Sequence, residues 1–177
     1  MKKTLLVLLI FVMMQGVCVA ADLKIIMTEP EPQKDKITFS DEKMSFVFAL
    51  EGKKGINLRV KNLTNKVVKI DWEQVALIDV KKNYRRIVHD GILYKDRTEK
   101  QAPTTIPPIP GTAISDNIAP VDLIFLKRIA FGGWQWRSKD FISDEDENKT
   151  ISVYFPIDIG GEVANYTFNF KIIKENQ

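Results

Sequence analysis

Cysteine is almost absent from this chain. Cys18 is the only one in 177 residues, and it lies in the N-terminal apolar stretch. The remaining sequence therefore has no disulfide, no thiolate nucleophile and no cysteine metal site. Histidine is equally scarce. His89 stands alone, which excludes multi-histidine metal centres and weakens any acid–base scheme built on imidazole. No Gly-x-Ser-x-Gly elbow, phosphate-binding glycine loop or dinucleotide fingerprint occurs. No cofactor and no metal are expected. Beyond the N-terminus no apolar run is long enough for a transmembrane helix. No sustained helical period with caps is present either.

What the chain does have begins with an export pattern. Lys2 and Lys3 precede an apolar run from Thr4 to Met14, and Val19-Ala20-Ala21 supplies small residues for cleavage. Residues 1–20 are expected to be a signal peptide, placing the protein in a bacterial periplasm or outside the cell. Cys18 offers a second N-terminus, lipidated and anchored, but Gln15 and Val17 fit a lipobox poorly. The net charge is +3, and without Lys2 and Lys3 the chain holds 24 basic and 23 acidic residues. Near-neutrality argues against nucleic acid or an anionic membrane surface as the main partner.

Residues 21–36, with Glu29-Pro30-Glu31-Pro32, form an extended leader or edge segment rather than core. Residues 37–177 form one domain. Met44, Phe46, Phe48 and Leu50 alternate with Ser45, Val47 and Ala49. Ile56, Leu58 and Val60 alternate with Asn57, Arg59 and Lys61, and Val68, Ile70 and Trp72 follow after an Asn-rich turn. Further strand patterns occur at Val75–Val80, Tyr84–Val88, Ile92–Tyr94, Ile114–Ile118, Val121–Leu126, Thr150–Phe155 and Val163–Ile173, with a Gly160-Gly161 hairpin before the last. The proline-rich stretch Ala102–Gly111 is expected to be extended without ladder hydrogen bonds. Short strands between turn residues predict an all-β sandwich.

Few residues carry chemistry. His89 could shuttle protons with Asp90 or Asp96, but it precedes an Asp-Gly turn, where a ring commonly bonds backbone. Trp134 and Trp136 alternate around Gln135, with Arg137 and Lys139 beside them. Exposed, they make a platform for a sugar or a partner; buried, they are core. Gly132-Gly133 suggests a sheet edge. His89, Asp96, Arg97, Trp134, Trp136 and Arg137 are thus the candidate binding residues, and no catalytic residue is assigned. A hydrolase acting on envelope glycans would need two carboxylates across one cleft, about 5–10 Å apart. Asp71, Asp79, Asp96, Asp116 and Asp122 are available for it. Asp144, Asp146 and Asn148 imitate the start of a calcium loop, but Lys149 and Phe155 occupy positions that need Gly and Glu. Pro107-Pro108-Ile109-Pro110 is a stiff surface loop, and Asn62-Leu63-Thr64, Asn148-Lys149-Thr150 and Asn165-Tyr166-Thr167 match a glycosylation tripeptide that is frequent by chance.

Asn62-Leu63-Thr64-Asn65-Lys66, Ile70-Asp71-Trp72 and Leu77-Ile78-Asp79 resemble a pattern in uncharacterised bacterial exported proteins and lipoproteins. Val88-His89-Asp90-Gly91, Asp96-Arg97 and Ile114-Ser115-Asp116 before Pro120 look like its continuation, so the resemblance spans about residues 55–125. It implies an immunoglobulin-like sandwich at the cell envelope and brings no catalytic residues. The expected role is binding or assembly, with an envelope protein or glycan as partner. Carboxylate-based glycan hydrolysis and a structural lipoprotein anchored through Cys18 are the rival expectations.

Overall fold

In the computed structural model, which describes residues 22–31 and 35–174, the alternating segments of the sequence become antiparallel strands. In chain order these are β1 (Leu23–Glu29), β2 (Thr38–Ser40), β3 (Met44–Glu51), β4 (Gly55–Asn62), β5 (Val68–Ile70), β6 (Ala76–Ile78) and β7 (Tyr84–His89). After them come β8 (Thr104–Ile106), β9 (Ala113–Pro120), β10 (Ile124–Arg128), β11 (Trp134–Ser138), β12 (Thr150–Ile159) and β13 (Glu162–Lys174). Only short 3-10 turns interrupt them, and no α-helix occurs among the described residues. None of the helical segments described is long and apolar enough to cross a membrane. The proposed signal peptide and Cys18 lie outside the described residues.

Two sheets result. One runs β1–β13–β12, and the far edge of β12 is shared by β5 and β6, with β8 beyond β5. The other runs β2–β3–β4–β9–β7. β7 belongs to both. Its first half pairs with β6 (Leu77 opposite Arg85), and its second half pairs with β9 (Val88 opposite Ala119). The sheets are therefore joined along one side as well as packed face to face, making a single all-β sandwich.

The inward face of each strand is the apolar one, as period-two alternation requires. Met44, Phe46 and Phe48 of β3 meet Phe155 of β12 and Phe168 and Phe170 of β13, all wholly buried. Ring centroids lie 4.7 Å apart for Phe48–Phe168 and 4.8 Å for Phe46–Phe168. This spacing falls in the range where tilted aromatic pairs attract beyond simple burial. Trp72 completes the core. Its indole N–H donates to Thr104 Oγ1 at 2.8 Å, so the one polar atom of a buried ring is satisfied.

Asn62 explains the turn that follows β4. Its Nδ2 donates to Lys66 O and Pro107 O, while its Oδ1 accepts from the N–H and hydroxyl of Thr64. Because Asn62 is wholly buried, it is closed to glycosylation in the folded domain.

Several expectations are corrected. Part of the leader is core: β1 pairs with β13, and Leu23, Ile25 and Met27 are buried. Its placement at a sheet edge agrees with the proline-rich sequence after it. Thr104–Ile106, inside the proline-rich stretch, does enter a ladder, opposite Val68–Ile70. Ile92–Tyr94 does not continue as a strand; Tyr94–Asp96 is a 3-10 turn. Val121–Leu123 is likewise a 3-10 turn ahead of β10. β9 runs through Ala119-Pro120, with Pro120 as its last residue, where a missing N–H costs little.

Candidate functional site: a cleft under a free hairpin

β10 and β11 pair only with each other, forming a two-stranded sheet apart from the sandwich. A turn through Gly132, whose φ of 90° suits glycine, joins them, and the Ile129 N–H closes it on Gly133 O at 2.9 Å. The register sets Leu126 opposite Trp136 and Arg128 opposite Trp134. Directly opposed residues share a face, so both tryptophans lie on the same side. Trp134 is 66% exposed and Trp136 39%, which selects the exposed platform over the buried alternative.

At the base of the hairpin is a cleft of about 320 Å³. The β3–β4 turn supplies Glu51, Lys54 and Gly55; the β7 and β9 ends supply Asp90, Asn117 and Ala119. Ile124, Trp136, Arg137 and Ser138 form the hairpin wall. The cleft thus combines an aromatic wall, two carboxylates, two cations and a hydroxyl. Gly55 permits this arrangement. A Cβ there would lie 2.8 Å from Asn117 Oδ1 and 2.9 Å from Ile118 O, so only glycine lets the turn approach β9 this closely. Asn117 Nδ2 ties the two walls together by donating to Glu51 Oε2.

Asp116 organises the floor behind the cleft. Its Oδ1 accepts from the N–H of Asp90 at 2.9 Å and of Asn117 at 2.8 Å, and its Oδ2 meets His89 Nδ1 at 3.1 Å. Asp90 itself has its carboxyl pushed up, first by the surrounding protein and second by the like charge of Asp116, with His89 acting in the opposite sense. The ring partner of His89 is therefore the Asp116 carboxylate, neither the backbone contact expected beside an Asp-Gly turn nor the alternative Asp90 or Asp96. The His89 ring stacks on Trp72 at 4.5 Å, the His89 backbone N–H donates to Gln101 Oε1, and the ring Nε2 is buried without a partner among the described residues. His89 does not line the cleft; it holds the Asp90 turn in place from within.

Asp96 and Arg97 are not brought to this site. Arg97 lies over the Tyr94 ring at 3.9 Å and donates to Tyr94 O. With Tyr84, Arg85, Arg86 and Asp122 it lines a separate depression. There Arg85 bridges Asp79 and Asp122. Burial opposes ionisation of Asp79, but hydrogen bonds from Asn83, Arg85 and Lys81 outweigh it and hold the carboxyl at about 2. Of the five aspartates considered for hydrolysis, Asp79 and Asp122 share a partner and are neutralised by it. Asp116 is committed to His89 and backbone N–H groups, and Asp71 accepts from Gln74 Nε2 and the Glu73 N–H. Asp71 shares a depression with Asp158, and Asp79 one with Asp140, Glu145 and Asp146; the cleft beside Trp136 instead brings together Glu51 and Asp90, from turns that sequence alone does not juxtapose.

The acidic stretch is a turn held by its own side chains. Asp146 accepts from the Ser143 N–H and hydroxyl and pairs with Lys149 at 2.7 Å, and Asp144 pairs with Lys53. No group of three His, Cys, Asp or Glu among the described residues could hold a metal ion. No protein-family model matches this chain, and no curated protein and no solved structure matches it.

Proposed function

We propose that this chain is an exported bacterial cell-envelope protein that works as a non-catalytic binding or assembly module on an immunoglobulin-like sandwich. It would be related to the exported proteins and lipoproteins that its central motif resembles. One observation carries the reading: the β10–β11 hairpin stands free of the core with both tryptophans on one exposed face, above a mixed polar cleft. Exposed tryptophans concentrated on one element are characteristic of recognition surfaces. The export pattern at residues 1–20 supports the location. Affinity capture from bacterial envelope extract tests the role. Wild type retains a protein or glycan that the Trp134→Ala/Trp136→Ala double variant releases; identical capture by both removes the hairpin from the binding role. Mass spectrometry of the purified N-terminus tests the location, with a free Ala21 or Asp22 for cleavage and a diacylated Cys18 for a lipid anchor.

A second reading is favoured by the pairing of Glu51 with Asp90 in one cleft beside Trp136. A raised Asp90 carboxyl suits a general acid and Glu51 a base, the arrangement of a glycan hydrolase. Release of reducing ends from envelope glycan by wild type, abolished by Asp90→Asn, would establish hydrolysis over simple binding.

A further inference from the structure

Charge is distributed unevenly over this near-neutral chain. From Leu123 to Lys139 there is no Asp or Glu, while Lys127, Arg128, Arg137 and Lys139 are all present. All four are exposed, and none makes an ion pair among the described residues. The same segment concentrates apolar surface. Leu126, Ile129, Trp134 and Trp136 are four of the nine large hydrophobic residues exposed among those described, and the other five are scattered over separate elements. Ile129 lies in the turn at the tip, next to the opposed pair Arg128 and Trp134. Carboxylates are confined to its base: Asp122 and Asp140 bound the segment in the chain, and Glu51 and Asp90 stand in the cleft.

We propose that the β10–β11 hairpin docks the protein onto an anionic phospholipid surface, with Leu126, Ile129 and Trp134 entering the headgroup boundary and Lys127 and Arg128 meeting lipid phosphates. The proposal rests on the hairpin being the binding element and names what it binds. The chemistry of each residue matches its place. Tryptophan settles at the membrane–water boundary because its ring is apolar and its N–H is polar. Long cationic side chains let their stems lie along apolar surface while the heads reach phosphate. A short apolar tip flanked by cations gives reversible surface attachment rather than insertion across the bilayer. Net charge averages this out: the hairpin carries four cations and no acid, none of the four in an ion pair among the described residues, so the surface that meets a membrane is positive even though the chain is near-neutral.

The test is co-flotation of the purified protein with vesicles of phosphatidylglycerol and phosphatidylcholine, against phosphatidylcholine alone, with tryptophan emission followed in parallel. Wild type floats with the anionic vesicles, its emission shifts to the blue, and added salt releases it. Lys127→Glu/Arg128→Glu weakens partitioning by about tenfold or more, since each cation near an anionic surface contributes appreciably. Trp134→Ala/Trp136→Ala also binds more weakly and shows no shift, because its one remaining tryptophan, Trp72, is already buried. Unchanged circular dichroism in both variants establishes that they are folded. Absence of flotation, equal flotation with neutral vesicles, or an unaffected charge-reversal variant overturns the proposal. If flotation fails while envelope capture still depends on the tryptophans, the lipid assignment falls and the hairpin remains a binding element. If capture is also hairpin-independent, both fall.

Discussion

The aromatic residues of this protein divide between two regions with opposite physics. In the sandwich, Phe46, Phe48, Phe155, Phe168 and Phe170 interlock across two sheets, and Trp72 has both its ring and its N–H satisfied. In the hairpin, Trp134 and Trp136 are equally large and sit on an equally regular strand, yet both stay exposed, Trp134 the more so. The strands carrying the core aromatics, β3, β12 and β13, have neighbours on both edges; the hairpin strands have only each other. A two-stranded ribbon has no opposing layer against which to bury a face. The aromatic content of the core is explained by stability, whereas that of the hairpin has no such explanation, and its cations compound the anomaly. The difference identifies where a partner would gain most by covering surface.

Three substitutions test this contrast. The largest effect belongs to the core. Phe168→Ala removes a ring that touches Phe46, Phe48 and Phe170 and should cost about 3–5 kcal/mol in urea unfolding. A loss comparable to that of a surface residue would show that the sheets are less tightly packed than described. Next is Asp79→Asn, which removes the buried carboxylate bound by Arg85 and Asn83 and should cost ~2 kcal/mol at neutral pH. The folded value lies below the ordinary 3.8, so the stabilisation is complete above that pH and is lost as pH falls toward about 2. The gap between wild type and variant should close over that window, and a gap independent of pH would assign the loss to packing instead. The smallest effect is expected for Trp134→Ala/Trp136→Ala, within about 0.5 kcal/mol of wild type by thermal unfolding. A cost near that of Phe168→Ala would place the hairpin in the core and end the contrast.

Much of the fold was legible because period-two alternation reports burial directly. Met44, Phe46 and Phe48 are all buried, and so are Ile56, Leu58 and Val60, Val68, Ile70 and Trp72, and Phe168, Phe170 and Ile172. The Asn62 turn and the Gly160-Gly161 hairpin were equally plain, since both rest on local chemistry. β1 was hidden because Glu29-Pro30-Glu31-Pro32 dominates the composition around it, while the buried face is only Leu23, Ile25 and Met27. The site was legible only in part. The common face of Trp134 and Trp136 follows from their spacing. The meeting of Asp90 with Glu51 and Trp136, and of His89 with Asp116, depends on which strands neighbour which. Strand order is set by long-range pairing, of which a single sequence keeps no local trace.

The pairing of β1 with β13 also governs when the domain can exist. Leu23 finds its partner only at Lys174, so the sheet edge that shelters Ile25 and Met27 is completed by the last strand to emerge. Contacts this distant in sequence are slow to close. A chain still lacking its C-terminal strand leaves Phe46, Phe48 and Phe155 without the layer that covers them. Such a chain would stay pliable until β13 is in place, and only then become rigid.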